Sequence, residues 1–464
     1  MLKSLKERLY KEESERMKLI NKLNISGRMK NVAKISSGTM IGQIISIGTL
    51  PIYARIFGAG IIGDWTLFTS VAIIVNTFSD LGMTNAIMVE DEDKAIDLYK
   101  VITTLVLITS IISGVVVGGY YFFFPHESRI SFWFFGLFIA ILIFTQQQTQ
   151  VCYTWLNRKK QYNVLMKNPI ITNISAALIA VPLGLIGFTK YGYYIGLIIG
   201  QIFTLIHMRR KLPNVYFTFN IPTILDTIKK KQEFVKYQMP TNISAQVKNQ
   251  LPVILIKMFF GSVILGYYSV SVRLLNMPIT FLANAIGRVY YQTIAEMNRM
   301  GQKIGEFTLK NMNRAMKIAV IPMIFILGMS DIICKIAFGE EFKVAGDICR
   351  IVAFNTFFMF LMMSTQGITI VIKKQRYGLV SAIFQTMGYI GGLLIGKFVF
   401  DSIYVGCLIM SIVFCIAQVV YFSAIFKAVD ISPVRYLKNV ATNIAIICIG
   451  AIIIRLLLLV CNFI

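Results

Sequence analysis

The sequence predicts an all-α polytopic membrane protein, and three observations lead to that prediction. Of the 464 residues, 56% are hydrophobic and 15% are charged, whereas a soluble domain carries about 25% charged residues. The mean hydropathy is +0.68. Apolar runs of roughly 20 residues, the length that an α-helix needs to cross a bilayer, recur from one end of the chain to the other.

Thirteen apolar runs are predicted to span the membrane. They cover 33–54, 63–85, 98–124, 131–155, 166–188, 191–208, 235–258, 265–292, 312–336, 346–372, 377–399, 403–426 and 438–461. The longest gap is basic and leaves six spans before it and seven after it. The predicted organisation is a cytoplasmic amphipathic segment (1–30), an N-lobe (31–208), a basic cytoplasmic linker (209–234), a C-lobe (235–428) and an extra C-terminal transmembrane helix (429–464).

The distribution of basic residues predicts the orientation in the membrane. Of the 46 lysines and arginines, 34 fall in segments on the side of the N-terminus and 6 in segments on the opposite side. Cytoplasmic loops are enriched in Lys and Arg, so the N-terminus is predicted to be cytoplasmic. The same distribution accounts for the net charge of +24 without a nucleic-acid partner.

An internal repeat relates spans 1 and 2 to spans 7 and 8. The counterparts, 201 to 203 residues apart, are Leu50-Pro51 and Leu251-Pro252, Phe57-Gly58 and Phe260-Gly261, Gly63 and Gly266, and Trp65 and Tyr268. Six spans separate the copies, so both have the same orientation, as in a parallel repeat. Arg55 and Lys257 are also counterparts. Each is a candidate cavity residue, and anchoring by snorkelling is the alternative for both.

Several basic residues lie inside spans 7 and 8, where a bare cation costs at least about 2.5 kcal/mol. Lys248 is at the middle of span 7, and internal pairing with a carbonyl or carboxylate is the alternative to a role in anion binding. The candidate residues of span 8 are Arg273, Asn276, Asn284 and Arg288, which fall within about 120° of arc on an ideal helix. Pro278 is expected to kink this helix. Guanidinium forks suit phosphate oxygens, and Lys acts as a point charge, so this pattern predicts a chamber for an anion.

Other polar residues inside spans allow two interpretations each. Gln146 and Gln150 share one face of span 4, where they can bind sugar hydroxyls or join neighbouring helices. Asp80, near the inner end of span 2, is a candidate for a coupling-ion site or a partner for a nearby cation. Arg350 begins span 10 and is expected at the outer interface.

Short motifs occur in a set order between residues 30 and 428. They include Leu50-Pro51-Ile52-Tyr53-Ala54-Arg55, Leu156-Asn157-Arg158-Lys159-Lys160, Gly266-Tyr267-Tyr268-Ser269 and Phe338-Gly339-Glu340-Glu341-Phe342. This ordered set resembles the Wzx-type oligosaccharide flippases of the multidrug/oligosaccharidyl-lipid/polysaccharide exporter (MOP) superfamily.

The resemblance implies two six-helix lobes around a central cavity and export of undecaprenyl-diphosphate-linked glycans through the bacterial cytoplasmic membrane. The implied partners are the lipid-linked oligosaccharide and membrane lipids, and the polysaccharide polymerase machinery is a further candidate partner. Two features depart from the family. The thirteenth span lies outside the twelve-helix core, and acidic residues of the kind that some members use for cation coupling are not obvious.

No enzyme, cofactor or metal site is predicted. The chain has two histidines, His126 and His207, and its seven cysteines lack metal-type spacing. A phosphate-binding Gly-Lys-Ser/Thr loop is absent from the sequence. The alternatives to an oligosaccharide flippase are a peptidoglycan-precursor (lipid II) flippase, a multidrug or small-solute antiporter of the same superfamily, and a membrane polymerase or ligase. The last would need a long outer loop, whereas the predicted outer loops are short.

Overall fold

The computed structural model describes residues 2–123, 132–212 and 217–461, with side chains from Lys34 onward except at 121, 132, 277, 278, 280 and 281. Helices α1 to α14 of the described part are Leu2–Ser79, Glu92–Phe123, Phe132–Arg158, Tyr162–Leu185, Thr189–Arg209, Ile221–Lys230, Met239–Pro278, Asn284–Arg299, Gly305–Phe338, Lys343–Ser364, Ile368–Val371, Arg376–Phe398, Ile403–Ala428 and Pro433–Val460. No strand occurs in these ranges. Among the residues that the structure describes, eleven helices are long and apolar enough to cross a membrane, which confirms the predicted all-α polytopic class.

Two of the eleven spans are far longer than one crossing needs, namely Lys34–Ser79 and Phe234–Asn276. Each is broken at one glycine, since Gly58 has φ 76° and ψ 170° and Gly261 has φ 84° and ψ 179°. This conformation is essentially restricted to glycine. The two glycines are counterparts in the predicted repeat, and dividing both helices at them gives thirteen segments in the described residues, which is the number of spans predicted from the sequence. Residues 2–30 of the predicted N-terminal segment (1–30) belong to α1, and the side chains of this segment lie outside the described set.

The chain folds into two compact units. The first contains residues 1–48 and 75–240, and the second contains residues 49–74 and 241–464. The sequence prediction assigns 49–74 to the N-lobe, whereas the structure groups this stretch with the C-terminal half of the chain.

A reciprocal backbone contact holds the stretch 49–74 in the second unit. A Cβ atom added at Gly63 would lie 1.9 Å from the carbonyl oxygen of Ser262, and one added at Gly266 would lie 1.9 Å from the carbonyl oxygen of Ala59. Ala59 and Ser262 are 203 residues apart, as are Gly63 and Gly266, so each copy of the repeat makes the same contact with the other. This is the pattern that a local two-fold axis produces. Glycine at both positions allows the backbones to approach this closely.

The first unit is built on α2 to α5. Its core contains Trp155 and Tyr99, whose ring centroids are 5.7 Å apart. Helices α2 and α3 meet at Gly114 and Gly136, where an added Cβ would lie 2.7–2.8 Å from the opposite carbonyl oxygen. Small residues at such crossings are typical of helix packing in membranes.

The helix α6 lies within the predicted basic linker. Ile221 and Leu225 are exposed on it, and Lys229 and Lys230 follow at its C-terminal end. An amphipathic helix with this composition is typical of a membrane surface.

The last helix, α14, is an integral part of the second unit. Polar contacts attach it to α9, because Asn439 donates a hydrogen bond to Asn313 at 2.9 Å and Asn443 donates one to the Met316 sulfur at 3.7 Å. On another side, the ring of Tyr436 is buried and stacks on Phe426 with 5.1 Å between centroids. The sequence predicts that this helix lies outside the twelve-helix core, and these contacts attach it to the second unit.

Candidate functional site

Lys248 lies in the first half of α7. About 14 Å of helix separates it from Met239 and about 20 Å separates it from the glycine kink at Gly261, at 1.5 Å per residue. It is therefore well inside a segment whose length matches the hydrocarbon core of roughly 30 Å. Its side chain is partly buried and makes no hydrogen bond or ion pair with any residue that the structure describes.

Arg273 and Asn276 lie in the second half of α7, just before the proline that ends it. Both are partly buried. Arg273, like Lys248, has no hydrogen-bond or ion-pair partner among the described side chains and backbone groups, whereas Asn276 does take part in a polar contact.

The predicted polar stripe on span 8 is interrupted. Helix α7 ends at Pro278, a π-helix follows at Ile279–Ala283, and α8 begins at Asn284. Proline removes a backbone donor and clashes with the preceding turn, and the wider π turn accommodates it. The expected interruption at Pro278 is thus present. The angular positions calculated at 100° per residue for one ideal helix therefore do not apply across Pro278. Asn284 is partly buried and Arg288 is exposed.

Lys257 is neutralised within the second unit. Its ammonium nitrogen lies 2.8 Å from Oδ1 of Asp64, and the Ser262 hydroxyl donates to the same oxygen at 2.5 Å. The side chains of Lys257 and Asp64 are 25% and 22% exposed, so the pair is mostly shielded from solvent. Asp64 directly follows Gly63, and the sequence alone does not indicate that it pairs with Lys257.

Arg55, the repeat counterpart of Lys257, has a different environment. Its guanidinium donates a hydrogen bond to the backbone carbonyl of Ile336, and the residue is exposed. The two counterparts therefore share a position in the repeat and differ in their partners.

An acidic residue that the sequence analysis overlooked lies in α9. The side chain of Asp331 is 3% exposed, and it accepts hydrogen bonds from Arg455 of α14 at 2.9 and 3.0 Å and a further one from Arg350 of α10. Arg350 also lies 3.1 Å from Asp347. Two arginines and two aspartates thus form one balanced cluster, and Arg350 is part of it rather than only an interfacial residue.

Five of the partly buried basic residues within the spans of the second unit therefore separate into two groups. Lys257, Arg350 and Arg455 each have an aspartate partner, whereas Lys248 and Arg273 have no such partner in the described ranges. An anion from outside the protein could supply the missing negative charge at these two positions.

The polar face on α3 belongs to the first unit. The Gln146 side-chain oxygen accepts a hydrogen bond from the Asn76 amide at 3.3 Å, and Gln150 is exposed. The hydrogen bond of Gln146 is of the kind that joins neighbouring helices, and the exposed Gln150 is accessible to a ligand. Both interpretations of this face thus retain support.

Asp80 caps a turn. Its two carboxylate oxygens accept hydrogen bonds from the backbone amides of Gly82 at 2.9 Å and Thr84 at 3.3 Å, at the start of the 3₁₀-helix Met83–Met88. Gly82 itself has a φ of 74°, so the turn depends on glycine. These contacts account for Asp80 as a structural residue. Within the described ranges, no group of three or more His, Cys, Asp or Glu residues has the arrangement of a metal site.

Comparison with known families identifies the chain. A family model described as "Polysaccharide biosynthesis protein" matches residues 52–347. A search of curated proteins found no match.

Solved structures with the same fold include three transporters or flippases. The lipid II flippase MurJ in an inward closed conformation has a TM-score of 0.70 at 13% identity, covering 91% of this chain and 97% of that one. An inward-facing multidrug resistance MATE family transporter of the MOP superfamily has a TM-score of 0.55 at 14% identity, covering 85% and 96%. A MOP superfamily transporter from Pyrococcus furiosus has a TM-score of 0.53 at 13% identity, covering 86% and 96%. At these identities the structural likeness establishes the fold, which is that of the MOP superfamily. The family model spans more than half of the chain, so the protein belongs to the polysaccharide biosynthesis protein family.

Proposed function

We propose that the protein is a flippase that moves undecaprenyl-diphosphate-linked oligosaccharide units across the bacterial cytoplasmic membrane by alternating access, for the biosynthesis of a surface polysaccharide. The family of polysaccharide biosynthesis proteins and the transporter fold support this proposal. The N-terminus is proposed to be cytoplasmic, on the strength of the positive-inside distribution. We propose an association with the polysaccharide polymerase machinery in the same role.

One observation carries the proposal about the substrate. Lys248 and Arg273 are cations deep in α7 without a described partner, in a unit where Lys257, Arg350 and Arg455 are each paired with an aspartate. Leaving a cation unpaired in a span is costly, so a bound diphosphate is the partner that we propose. Arg273 would bind phosphate oxygens as a fork, and Lys248 would act as a point charge.

The remaining candidates are proposed to serve either the binding of the head group or the structure. Arg288, Asn276 and Asn284 are proposed to contact the head group beyond the diphosphate, and Gln146 and Gln150 to bind sugar hydroxyls. Lys257 and Arg55 are proposed to serve the structure, since the first is neutralised by Asp64 and the second donates to a backbone carbonyl.

Two alternatives have the same fold. A multidrug antiporter that carries cationic drugs would need acidic residues free to bind them, and the buried Asp331 is already bound by two arginines. A lipid II flippase would use the same diphosphate, and the structural neighbour MurJ is named for that substrate.

The lipids that accumulate in a deletion strain test the proposal. Mass spectrometry of the polyprenyl-linked pool should show a diphosphate-linked oligosaccharide that complementation removes. Accumulation of the peptidoglycan precursor instead would identify a lipid II flippase. An unchanged lipid pool, with loss of export of a small solute, would contradict both.

A further inference from the structure

A groove of about 540 Å³ lies within the second unit between α9 and α14. Its lining includes Lys310, Arg314 and Lys317 from α9, and Arg435 from α14. None of the residues proposed to bind the transported substrate lines it. The groove exists because α14 packs beside α9, so the extra C-terminal helix creates it.

The groove carries an excess of positive charge. Lys310, Arg314 and Lys317 are spaced four and three residues apart, so they lie on one face of α9. All three are exposed, and none has an ion-pair or hydrogen-bond partner among the described residues. The acidic residue of the groove, Glu306, is already paired with Arg435 at 2.5 Å. Three positive charges are thus left for a ligand.

The three cations lie where α9 turns from polar to apolar. Lys317 is about 18 Å along the helix from Gly305, at 1.5 Å per residue. The residues that follow it include Ile318 and Ile321, which are 43% and 65% exposed. The exposed surface beyond the cations is therefore apolar, as expected where head groups give way to hydrocarbon.

The neighbouring helix repeats this pattern. Only 11% of the residues in the most apolar stretch of α14 are buried. Ile449 and Ile453 are 58% and 52% exposed. Beyond the basic groove, exposed apolar side chains thus continue along both α9 and α14.

We propose that this groove binds the phosphate head group of an anionic membrane phospholipid, with its acyl chains along the exposed apolar faces of α9 and α14. Basic pockets between transmembrane helices on the cytoplasmic side recognise such head groups. The adjoining apolar surface favours a phospholipid over a soluble phosphate, because a soluble phosphate makes no use of that surface.

Lipid binding to the full-length, delipidated protein tests the proposal. Native mass spectrometry should show tighter binding of phosphatidylglycerol than of phosphatidylcholine with the same chains. The variant K310Q/R314Q/K317Q should bind phosphatidylglycerol roughly 100-fold more weakly, at about fivefold for each cation. Its melting temperature should stay unchanged, because the three side chains are exposed and unpaired.

The matched control removes three cations elsewhere in the same unit. K373Q/K374Q/R376Q should keep the wild-type affinity, which separates a local site from the effect of net charge. Should the groove variant fold poorly, R314Q alone should still lose about fivefold. The variant E306Q should bind more tightly, since it removes the carboxylate that competes for Arg435.

Three results would overturn the proposal. One is wild-type affinity for phosphatidylglycerol in the groove variant, and another is equal affinity for phosphatidylcholine and phosphatidylglycerol. The third is displacement of the lipid by glycerol phosphate at equal concentration, which would make the groove a site for soluble anions. These outcomes are independent of whether the protein exports a glycan.

Discussion

The ammonium of Lys257 lies 2.8 Å from the carboxylate of Asp64, and this ion pair joins the two copies of the internal repeat inside the second unit. The pair is shielded, and the Ser262 hydroxyl bonds to the same carboxylate oxygen. Its position in a span makes Lys257 a candidate for the substrate site, and the ion pair with Asp64 explains the residue structurally instead.

Substitution of either partner of this pair should destabilise the protein more than substitution of both. K257M leaves the Asp64 carboxylate partly buried without a cation, whereas K257M/D64N removes both charges. A double-mutant cycle on the purified protein should give a coupling of about 0.5–3 kcal/mol. K343Q is the control and should change stability little, because the Lys343 side chain is exposed and has no ion-pair partner among the described residues. Additive effects of K257M and D64N would show that the pair contributes nothing.

The two close glycines should not tolerate a methyl group. G63A and G266A each place a Cβ 1.9 Å from an opposing carbonyl oxygen, so the helices must separate. Both variants should lower membrane abundance and melting temperature, and by similar amounts because the contact is reciprocal. G60A is the matched control, since its Cβ would have its nearest neighbour at 3.7 Å. A wild-type melting temperature for G63A would refute the close contact.

The attachment of α14 should depend on Asp331. D331N leaves Arg350 and Arg455 without their shared carboxylate, and removing one partner of a buried pair costs about 3–5 kcal/mol. Thermal unfolding in detergent should therefore show a large loss for D331N. R435Q provides the comparison, because its pair with Glu306 is exposed and such pairs contribute about 0–1 kcal/mol. Equal losses in the two variants would contradict a special role for the buried cluster.

The predicted orientation can be tested with single cysteines in a background that lacks the seven native ones. N220C, at the N-cap of α6, should resist an impermeant maleimide in intact cells and react in inverted vesicles. E340C, just before α10, should show the opposite behaviour. Labelling of N220C in intact cells would reverse the orientation.

The sequence was sufficient for the fold class and the repeat, because both depend on local pattern. Apolar runs of bilayer length indicate membrane spans without any knowledge of how the helices pack. Glycine at 58 and 261 indicates a backbone conformation that other residues avoid. The sequence was not sufficient for ion pairs, because their partners come from helices that are distant along the chain. Asp64 lies 193 residues from Lys257, and Asp331 lies 124 residues from Arg455.

Ideal helical geometry also has a limit in this chain. The stripe from Arg273 to Arg288 assumes one uninterrupted α-helix, and the π-helix after Pro278 breaks that assumption. Arg273 and Asn276 therefore form one part of the candidate site, and Asn284 and Arg288 form another. Beyond a proline, residue spacing alone does not predict which side of the helix a side chain lies on.

The central claim is that Lys248 and Arg273 bind the diphosphate of the transported lipid. Charge-assisted hydrogen bonds contribute about 1.5–3 kcal/mol, so K248A and R273A should each slow transport by roughly 10- to 100-fold. R273K should recover part of the activity, because it keeps the charge and loses the fork. K335A, which removes an exposed cation paired with Glu340, is the control and should transport normally.

The most direct measurement is translocation of a polyprenyl-diphosphate oligosaccharide in proteoliposomes containing equal amounts of wild-type protein or K248A/R273A. We predict that the wild-type protein moves the lipid-linked glycan across the bilayer and that the double variant, although correctly inserted, is nearly inactive. Wild-type rates of translocation by K248A/R273A would show that these two residues are not the substrate site.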